Sequence, residues 1–443
     1  MKIKWILGTF IVFSLSALVL AVHPQVDAVA EGDKLDIAFA AAPGDILRDL
    51  PPQSWYEVPD TPMREVCPPN YFGGKDYEFH YFCTGVISAW SGGALDTLRN
   101  RMVIWGGGHN DYYGNELYVF DINQLRWERL TDPDLDFEYG QISVEKHASG
   151  NPTARHTYGG LAYIAHADRF FSHGGAVTGD TPGGGDRVWT FDFETLEWED
   201  HGLDRMNTVT REDEHTVYDP ISHNIYVFNL SELYRYNFDL NQWTQLDDDQ
   251  ITWYALGTTI DTKRNLLISV GMGYVSVYDL NAQTHQRQLW NTSGGNEIVN
   301  AYAPGLEYDP IRDRVVGWAG GDIYALDIET KQWTRVSAPG GPGGNDNGIF
   351  GRFRYIPKYD VFFAVTDVDD NVFFYKPAEG DLEPIPGDLN LDRVVDWVDV
   401  NLAVQVILGA EGDPGIVDRM DVNLDNNRDV LDLQAIVNLV TDS

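Results

Sequence analysis

The chain has 443 residues, with 68 Asp and Glu against 31 Lys and Arg, for a net charge of −37. That balance excludes nonspecific nucleic-acid binding, because phosphate would be repelled instead of exchanged for counterions, and it suits a saline or calcium-containing exterior. Aromatics at 13% and 43 glycines favour a turn-rich β protein, and the length allows one large domain plus a small one.

Lys2 and Lys4 precede an apolar run from Trp5 to Val22, and Ala28-Val29-Ala30 offers a small-residue cleavage site. Residues 1–30 are therefore expected to be a secretory signal, leaving a mature chain that is secreted or held at the cell surface. An uncleaved anchor is the competing reading of the same run. No later apolar stretch could span a bilayer, so no integral membrane role is expected. Cys67 and Cys83 are the two cysteines, and export makes a disulfide between them the simplest account.

From Trp55 to Lys376 one theme returns: a β-rich run, a short polar turn, a second run often ending in glycines, then an aromatic-Asp element and a Trp. The clearest unit runs from Ser91 through Arg101 to Gly108, followed by Leu117 to Asp121 and Trp127. Later units close at Phe191-Asp192 with Trp198, Phe238-Asp239 with Trp243, Tyr278-Asp279, and Leu326-Asp327 with Trp333. Short strands in fours cannot bury a core alone but do so when small sheets stack around an axis, which predicts an all-β propeller of four-stranded blades over 45–376. Six blades are counted; the segments before Ser91 and between Leu130 and Arg155 leave room for a seventh. The last unit, Phe350 to Tyr375, lacks its closing strand, and Ser54 to Val58 is expected to supply it. The glycine pairs and spaced Tyr and Trp resemble kelch repeats over most of this region.

In a propeller, the approaches to the inner strands and the loops after the second strands open on one face. His109 and Tyr112 fall in such a loop within Gly106 to Glu116, as does His173; Arg155, His156, His215, Tyr302, Arg352 and Arg354 fall at approaches, with Arg211, Trp253 and Tyr254. Glycines allow a close approach to a ligand, and the polar residues after them bond it or tie the loop; both roles stay open for His109 and Asn115. His156 equally suits a bond to a neighbouring blade, and His215 and Tyr218 a structural role. A transition metal held by these histidines with Asp111 is a further alternative.

Residues 377–386, with Pro377, Pro384 and Pro386, read as a linker. Beyond it an acidic pattern occurs twice. Asp388, Asn390, Asp392, Asp396 and Asp399 match Asp421, Asn423, Asp425, Asp429 and Asp432 at positions 1, 3, 5, 9 and 12 of a loop, with carbonyls from Val394 and Asn427 at position 7. That oxygen set suits Ca2+, giving two expected calcium sites. Position 6, which needs a sharp turn, is Arg393 in one copy and Asn426 in the other, so the first site is expected to be the weaker. Apolar residues then take helical spacing at Leu402, Ala403, Val406 and Ile407, and at Leu433, Ile436, Val437 and Val440. The duplicated loop-helix pattern over 387–441 resembles the dockerin domain, a small all-α calcium-binding module, and implies a cohesin-like partner. Positions 10 and 11 depart from the hydroxyl residues usual there, being Trp397 and Val398, then Val430 and Leu431.

Signal, propeller mouth and dockerin-like tail together resemble propeller polysaccharide lyases such as ulvan lyases. The resemblance implies β-elimination on a uronic-acid-containing polysaccharide: a cation faces the carboxylate (Arg155 or Arg235), while His109, His173 and Tyr218 are candidate acid and base, with Tyr112, His156 and His215 beside them. The alternatives are a noncatalytic carbohydrate-binding propeller and a protein-interaction propeller. A copper oxidase of the galactose oxidase kind needs a tyrosine crosslinked to cysteine, and here both cysteines have each other.

Overall fold

The computed structural model describes residues 42–138, 145–177, 185–204, 213–228, 232–247, 255–379, 385–390, 395–412, 414–423 and 425–442. The expected signal, Arg211, Trp253, Tyr254, Asp392, Arg393 and Val394 lie outside them. Six antiparallel four-stranded sheets form a six-bladed β-propeller. Their inner strands, Gly93–Asp96, Leu161–Ile164, His215–Tyr218, Gly257–Asp261, Gly305–Asp309 and Phe353–Ile356, contact one another in sequence around the axis. The sixth blade is closed by the strand Ser54–Glu57, which pairs with Phe373–Lys376 in the register Trp55 with Tyr375. Trp55 then fills the gap beside Trp318, ring centroids 5.6 Å apart. No seventh blade forms among the described residues. The segment before Ser91 is an insertion stapled by the Cys67–Cys83 disulfide, and the described part of the segment before Arg155 makes only the bridge between Lys146 and Pro152.

The repeat is legible in physical terms at the lower face, where first strands turn into second strands. Each turn ends in a left-handed residue: Asn100, Asp168, His223, Asn265, Asp313 and Asp360, with φ between 50° and 57°. Asn and Asp tolerate this conformation, which explains their recurrence. Three turns also throw an arginine fork to the next blade: Arg99 to Asp168, Arg264 to Asp313, and Arg312 to Asp360 at 2.9 and 2.6 Å. Each accepting Asp also takes a hydrogen bond from an inner-strand tyrosine, Tyr163, Tyr308 or Tyr355. Bidentate, charge-assisted bonds of this kind lock blade to blade in one geometry.

At the turn after the third strand of blades 1, 2, 4 and 5 an acid accepts backbone N–H groups, as Asp121 does from Gln124, Asp192 from Glu194, Asp279 from Asn281 and Asp327 from Thr330. In blade 3 this role falls to Asn237, which accepts from Leu240. The Phe238-Asp239 element of the sequence reading is thus two residues out of register. Between the sheets Phe120, Phe170 and Phe353 are fully buried; each contributes roughly 1.5 to 3 kcal/mol.

After Lys376 the chain reaches a helical module with helices Trp397–Ile407, Pro414–Arg419 and Val430–Asp442. Its core contains Leu402, Ala403 and Ile436, with Val406, Ile407, Leu433, Val437 and Val440 against it, so the helical spacing finds its packing. No described helix is long and apolar enough to cross a membrane.

Candidate functional site

The upper face is built from the approaches to the inner strands. A left-handed residue stands at each: Trp90, Tyr158, Asp213, Ala255, Ala303 and Phe350, with φ between 41° and 64°. Aromatic and alanine side chains take this conformation at a cost of about 1 kcal/mol or more each. Backbone bonds between blades hold it: Tyr158 N–H to the Trp90 carbonyl at 2.7 Å, and Ala303 N–H to that of Ala255 at 2.7 Å. Tyr158 and Phe350 thereby pack over the axis with Ala255 and Ala303, and half-buried Trp90 and Tyr302 lie against them. Trp90 donates its indole N–H to Tyr302 Oη at 3.0 Å, spanning blades 1 and 5.

Next to this aromatic cluster, His156 Nε2 lies 2.8 Å from Asp111 Oδ2. The His156 ring sits between Trp90, at 4.9 Å, and His109, at 5.2 Å between centroids. His156 is 6% exposed, while the Asp111 side chain is 47% exposed and open to solvent. His109 Nδ1 is buried and has no hydrogen-bond partner. The glycines before it permit this closeness: a Cβ at Gly108 would meet the Ala154 carbonyl at 2.1 Å, and one at Gly107 the backbone of Gly85 at 2.6 Å. Asn115, by contrast, ties the loop, bonding Asp134 and the Pro152 carbonyl. An imidazole oriented by a carboxylate, beside a second imidazole and an aromatic surface, can accept and return a proton.

The remaining candidates are elsewhere or already engaged. Arg155 is fully buried, pairs with Glu145 at 3.1 Å and donates to the Thr153 and Gly174 carbonyls, so its guanidinium does not face a ligand. Arg352 is spent on the carbonyls of Ser91, Val365 and Gly348. Tyr112 points into the core, where it and Tyr118 both donate to buried Glu116; burial pushes both phenols well above their usual range. Tyr218 is at the opposite end of its strand, bonded to His166 Nδ1 at 3.0 Å. Arg235 lies on the third strand of blade 3, opposite Tyr226 and Thr244. The six inner strands enclose a cavity of about 190 Å³ that includes Tyr218, Glu307 and Arg354 in its lining. Arg354 is paired with Glu307 and also donates to the Gly93 carbonyl, crossing from blade 5 to blade 1.

His173 and His215 are both buried but differ in charge. His173 Nδ1 lies 2.6 Å from Glu214 and Nε2 3.2 Å from Asp204, so both nitrogens donate and the ring is a cation. Burial alone would lower its pKa, but the two carboxylates raise it to about 9. His215 has no such partner at Nε2, and burial lowers it to about 4. The sequence reading missed Trp90, Asp204 and Glu214; Trp90 was discoverable by aligning it with Tyr158 and Phe350, each three residues before an inner strand.

In the C-terminal module the two acidic loops have matching bonds. Asp399 accepts N–H groups from Leu389, Asn390 and Asp396, as Asp432 does from Val422, Asn423 and Asp429. Asn426 has φ of 65°, the left-handed turn expected at position 6. Asp388, Asn390, Asp396 and Asp399 are buried, and Oδ2 of Asp396 has no hydrogen-bond partner. Burial first, and then Asp388, push the Asp399 carboxyl well above the usual carboxylate range. Among the described residues, no group of three or more His, Cys, Asp or Glu side chains reaches metal-binding geometry.

The fold thus defines a six-bladed β-propeller with a helical C-terminal module. No family model matches the chain. It is similar to acyl-CoA-binding domain-containing protein 4 of Arabidopsis thaliana, 23% identical over 243 residues, covering 55% of this chain and 30% of that protein. It is also similar to acyl-CoA-binding domain-containing protein 6 of Oryza sativa subsp. japonica, 30% identical over 103 residues, covering 23% of this chain and 14% of that protein. The chain spans less than a third of the length of these curated relatives. Among solved structures, a chain of a nidogen/laminin complex is similar with a TM-score of 0.37 and 12% identity, covering 56% of this chain and 80% of that one.

Proposed function

We propose that this protein is an exported, kelch-like propeller that acts on polysaccharide at its upper face, with a dockerin-like module that takes up calcium and attaches it to a cohesin-like partner. The observation that carries the first part is the Asp111–His156 pair, held between His109 and Trp90. Trp90 and Tyr302 offer ring faces on which a sugar stacks. For a uronate polymer the step is β-elimination: His156, oriented by Asp111, takes the C5 proton. The electrons form the C4–C5 double bond, the C4–O bond breaks, and His109 returns a proton to the leaving oxygen. Tyr112, Tyr218, Arg235 and Arg155 have no part in this step, Arg155 being buried and paired with Glu145.

A second reading, a noncatalytic glycan-binding propeller, is favoured by the commitment of Arg155 to Glu145, because a uronate carboxylate needs a free cation. For the tail, the buried oxygens of Asp388, Asp396 and Asp399 are the ligand type a hard cation takes, and Oδ2 of Asp396 has no hydrogen-bond partner.

The test is a screen of anionic and neutral polysaccharides, followed by binding and by ultraviolet absorbance of the unsaturated product. Turnover that His156→Ala abolishes, with folding kept, supports the lyase. Binding without absorbance leaves the glycan-binding reading, and absence of binding to every glycan overturns both.

A further inference from the structure

The ring of inner strands is chemically lopsided. At the equivalent position before each left-handed turn residue of the lower face, the blades carry in order Ala94, Ala162, Val217, Thr259, Glu307 and Arg354. Blades 1 to 3 thus give small or apolar side chains, and blades 4 to 6 polar ones. All six line the cavity of about 190 Å³ between the inner strands, where Glu307 and Arg354 are the only charged residues among those described. Its lower rim is the start of the first turns, with Thr97 and Thr262 on opposite blades. None of its lining belongs to the cluster of Tyr158, Ala255, Ala303 and Phe350 that packs over the axis at the upper face. The two sites are separate.

Glu307 and Arg354 pair across blades 5 and 6, with side chains 16% and 20% exposed. Arg354 also donates from Nε to the Gly351 carbonyl at 3.1 Å and from Nη2 to that of Gly93 at 3.2 Å, which leaves two of its five N–H groups. Glu307 accepts at Oε1, leaving Oε2. This wall therefore offers an acceptor beside donors and carries no net charge. Thr216, 4% exposed, also lines the cavity, and its buried hydroxyl has no hydrogen-bond partner. Such a group is costly until a ligand or water bonds it. Blade packing does not require the ion pair, because Ala94, Ala162 and Val217 hold the equivalent places without one.

The C-terminal module stands on the same lower face. Its helix Trp397–Ile407 packs on the Ala165–Ala167 turn of blade 2, Leu98 of blade 1 joins its core with Ala165, and Lys358 of blade 6 lies 3.7 Å from Glu411. The module flanks the rim at these three blades. Pro220, Thr262 and Pro310, the rim residues of blades 3 to 5, lie outside those contacts.

We propose that this cavity binds one uncharged polyol of monosaccharide size, entering from the lower face. The volume is below the roughly 300 Å³ of pockets for drug-sized ligands, so it holds a single small ring and not a polymer segment. A pyranose has hydroxyls around its edge and C–H groups on its faces, and the cavity has a matching division. Ring hydroxyls bond Glu307 Oε2, the remaining N–H groups of Arg354 and the Thr216 hydroxyl, while the C–H face lies against Ala94, Ala162 and Val217. A ligand with net charge would be buried beside a pair that is already balanced, and a zwitterion would have to separate that pair. The proposal does not rest on the action of the upper face on polysaccharide.

The experiment is saturation-transfer NMR and calorimetry on the full chain with D-glucose, D-galactose, D-xylose and L-rhamnose, and with L-alanine and D-galacturonate as charged comparators. At least one neutral sugar is expected to bind once per chain. Glu307→Gln, which keeps the volume, and Ala162→Leu, which fills the cavity and keeps the ion pair, should each weaken that binding about tenfold or more. Thr216→Val, of the same shape, should weaken it about threefold or more, and carries the test where either of the others fails to fold by thermal melting. Absence of binding by every neutral sugar, binding by a charged comparator alone, or sugar binding unchanged in the folded variants overturns the proposal. Sugar binding that His156→Ala removes and Ala162→Leu keeps places the sugar at the upper face and also overturns it.

Discussion

At the lower rim six first turns hold Asn100, Asp168, His223, Asn265, Asp313 and Asp360 in the left-handed conformation, and all but His223 are Asn or Asp, whose side chains either bond a neighbour or tolerate the turn. At the upper rim the six left-handed positions are Trp90, Tyr158, Asp213, Ala255, Ala303 and Phe350, most of them residue types that disfavour it. The lower rim repeats because one chemical device, the arginine fork, serves several blade junctions. The upper rim varies because its side chains are used differently in each blade: aromatics over the axis, an Asp–His pair at one edge, a buried imidazolium at another.

The largest expected effect separates the rims by stability. Arg312 is 6% exposed and forks between fully buried Asp309 and half-buried Asp360; Arg312→Ala should cost about 3 kcal/mol in urea unfolding, because it leaves the buried Asp309 carboxylate with Arg314 as its remaining cation. His156→Ala at the upper rim should cost only about 1 to 2 kcal/mol, while removing glycan binding or turnover. Equal losses at both sites would erase the distinction.

The next largest sharpens the upper rim by pH. The pKa of His173 in the folded chain is raised to about 9, above the unfolded value near 6.5, so its stabilisation is present below pH 6.5 and is lost as pH rises through 9. That of His215 is lowered to about 4, so stability falls instead as pH drops from 6.5 toward 4, where the unfolded chain takes up the proton. Each limb is roughly 3 kcal/mol by the size of the shift. Unfolding midpoints across pH should show His173→Gln flattening the alkaline limb and His215→Phe the acid limb. A limb that persists in its variant removes that histidine as the cause.

The smallest effect tests the glycine loop. Gly108→Ala should displace the loop from Ala154, lowering stability by about 1 to 3 kcal/mol and moving His109 away from His156. Ligand affinity should fall further than in Asn115→Ala, which loosens the loop without a clash.

The propeller was legible because its cause is local and repeated. Aromatic, glycine and turn residues recur at the spacing of short strands, and even the closing strand at Ser54 was visible as a unit missing from one end and spare at the other. Blade 3 shows the limit: Asn237 replaces the turn acid, and Asp239, two residues on, imitates it. For the mouth, topology put these loops on one face but did not give the directions of their side chains. His109 and His156 meet, whereas Arg155 turns to Glu145, Tyr112 to Glu116 and Tyr218 to His166, because a side chain's direction depends on which neighbour lies on the adjacent blade.

The sequence by itself determined the repeat of four-stranded blades, the order of strands, the pairing of Cys67 with Cys83 and the two matched acidic loops, since each follows from residues close in the chain or unique in type, while the count of six was settled only when the segments before Ser91 and Arg155 formed no blade. Tertiary structure alone decided which histidine is charged and which neutral, and which of two alike loop-helix units is buried against the propeller. Charge state depends on carboxylates brought from other strands, as Asp204 and Glu214 are to His173, and burial on a surface assembled from three blades; neither is written at any one place in the chain.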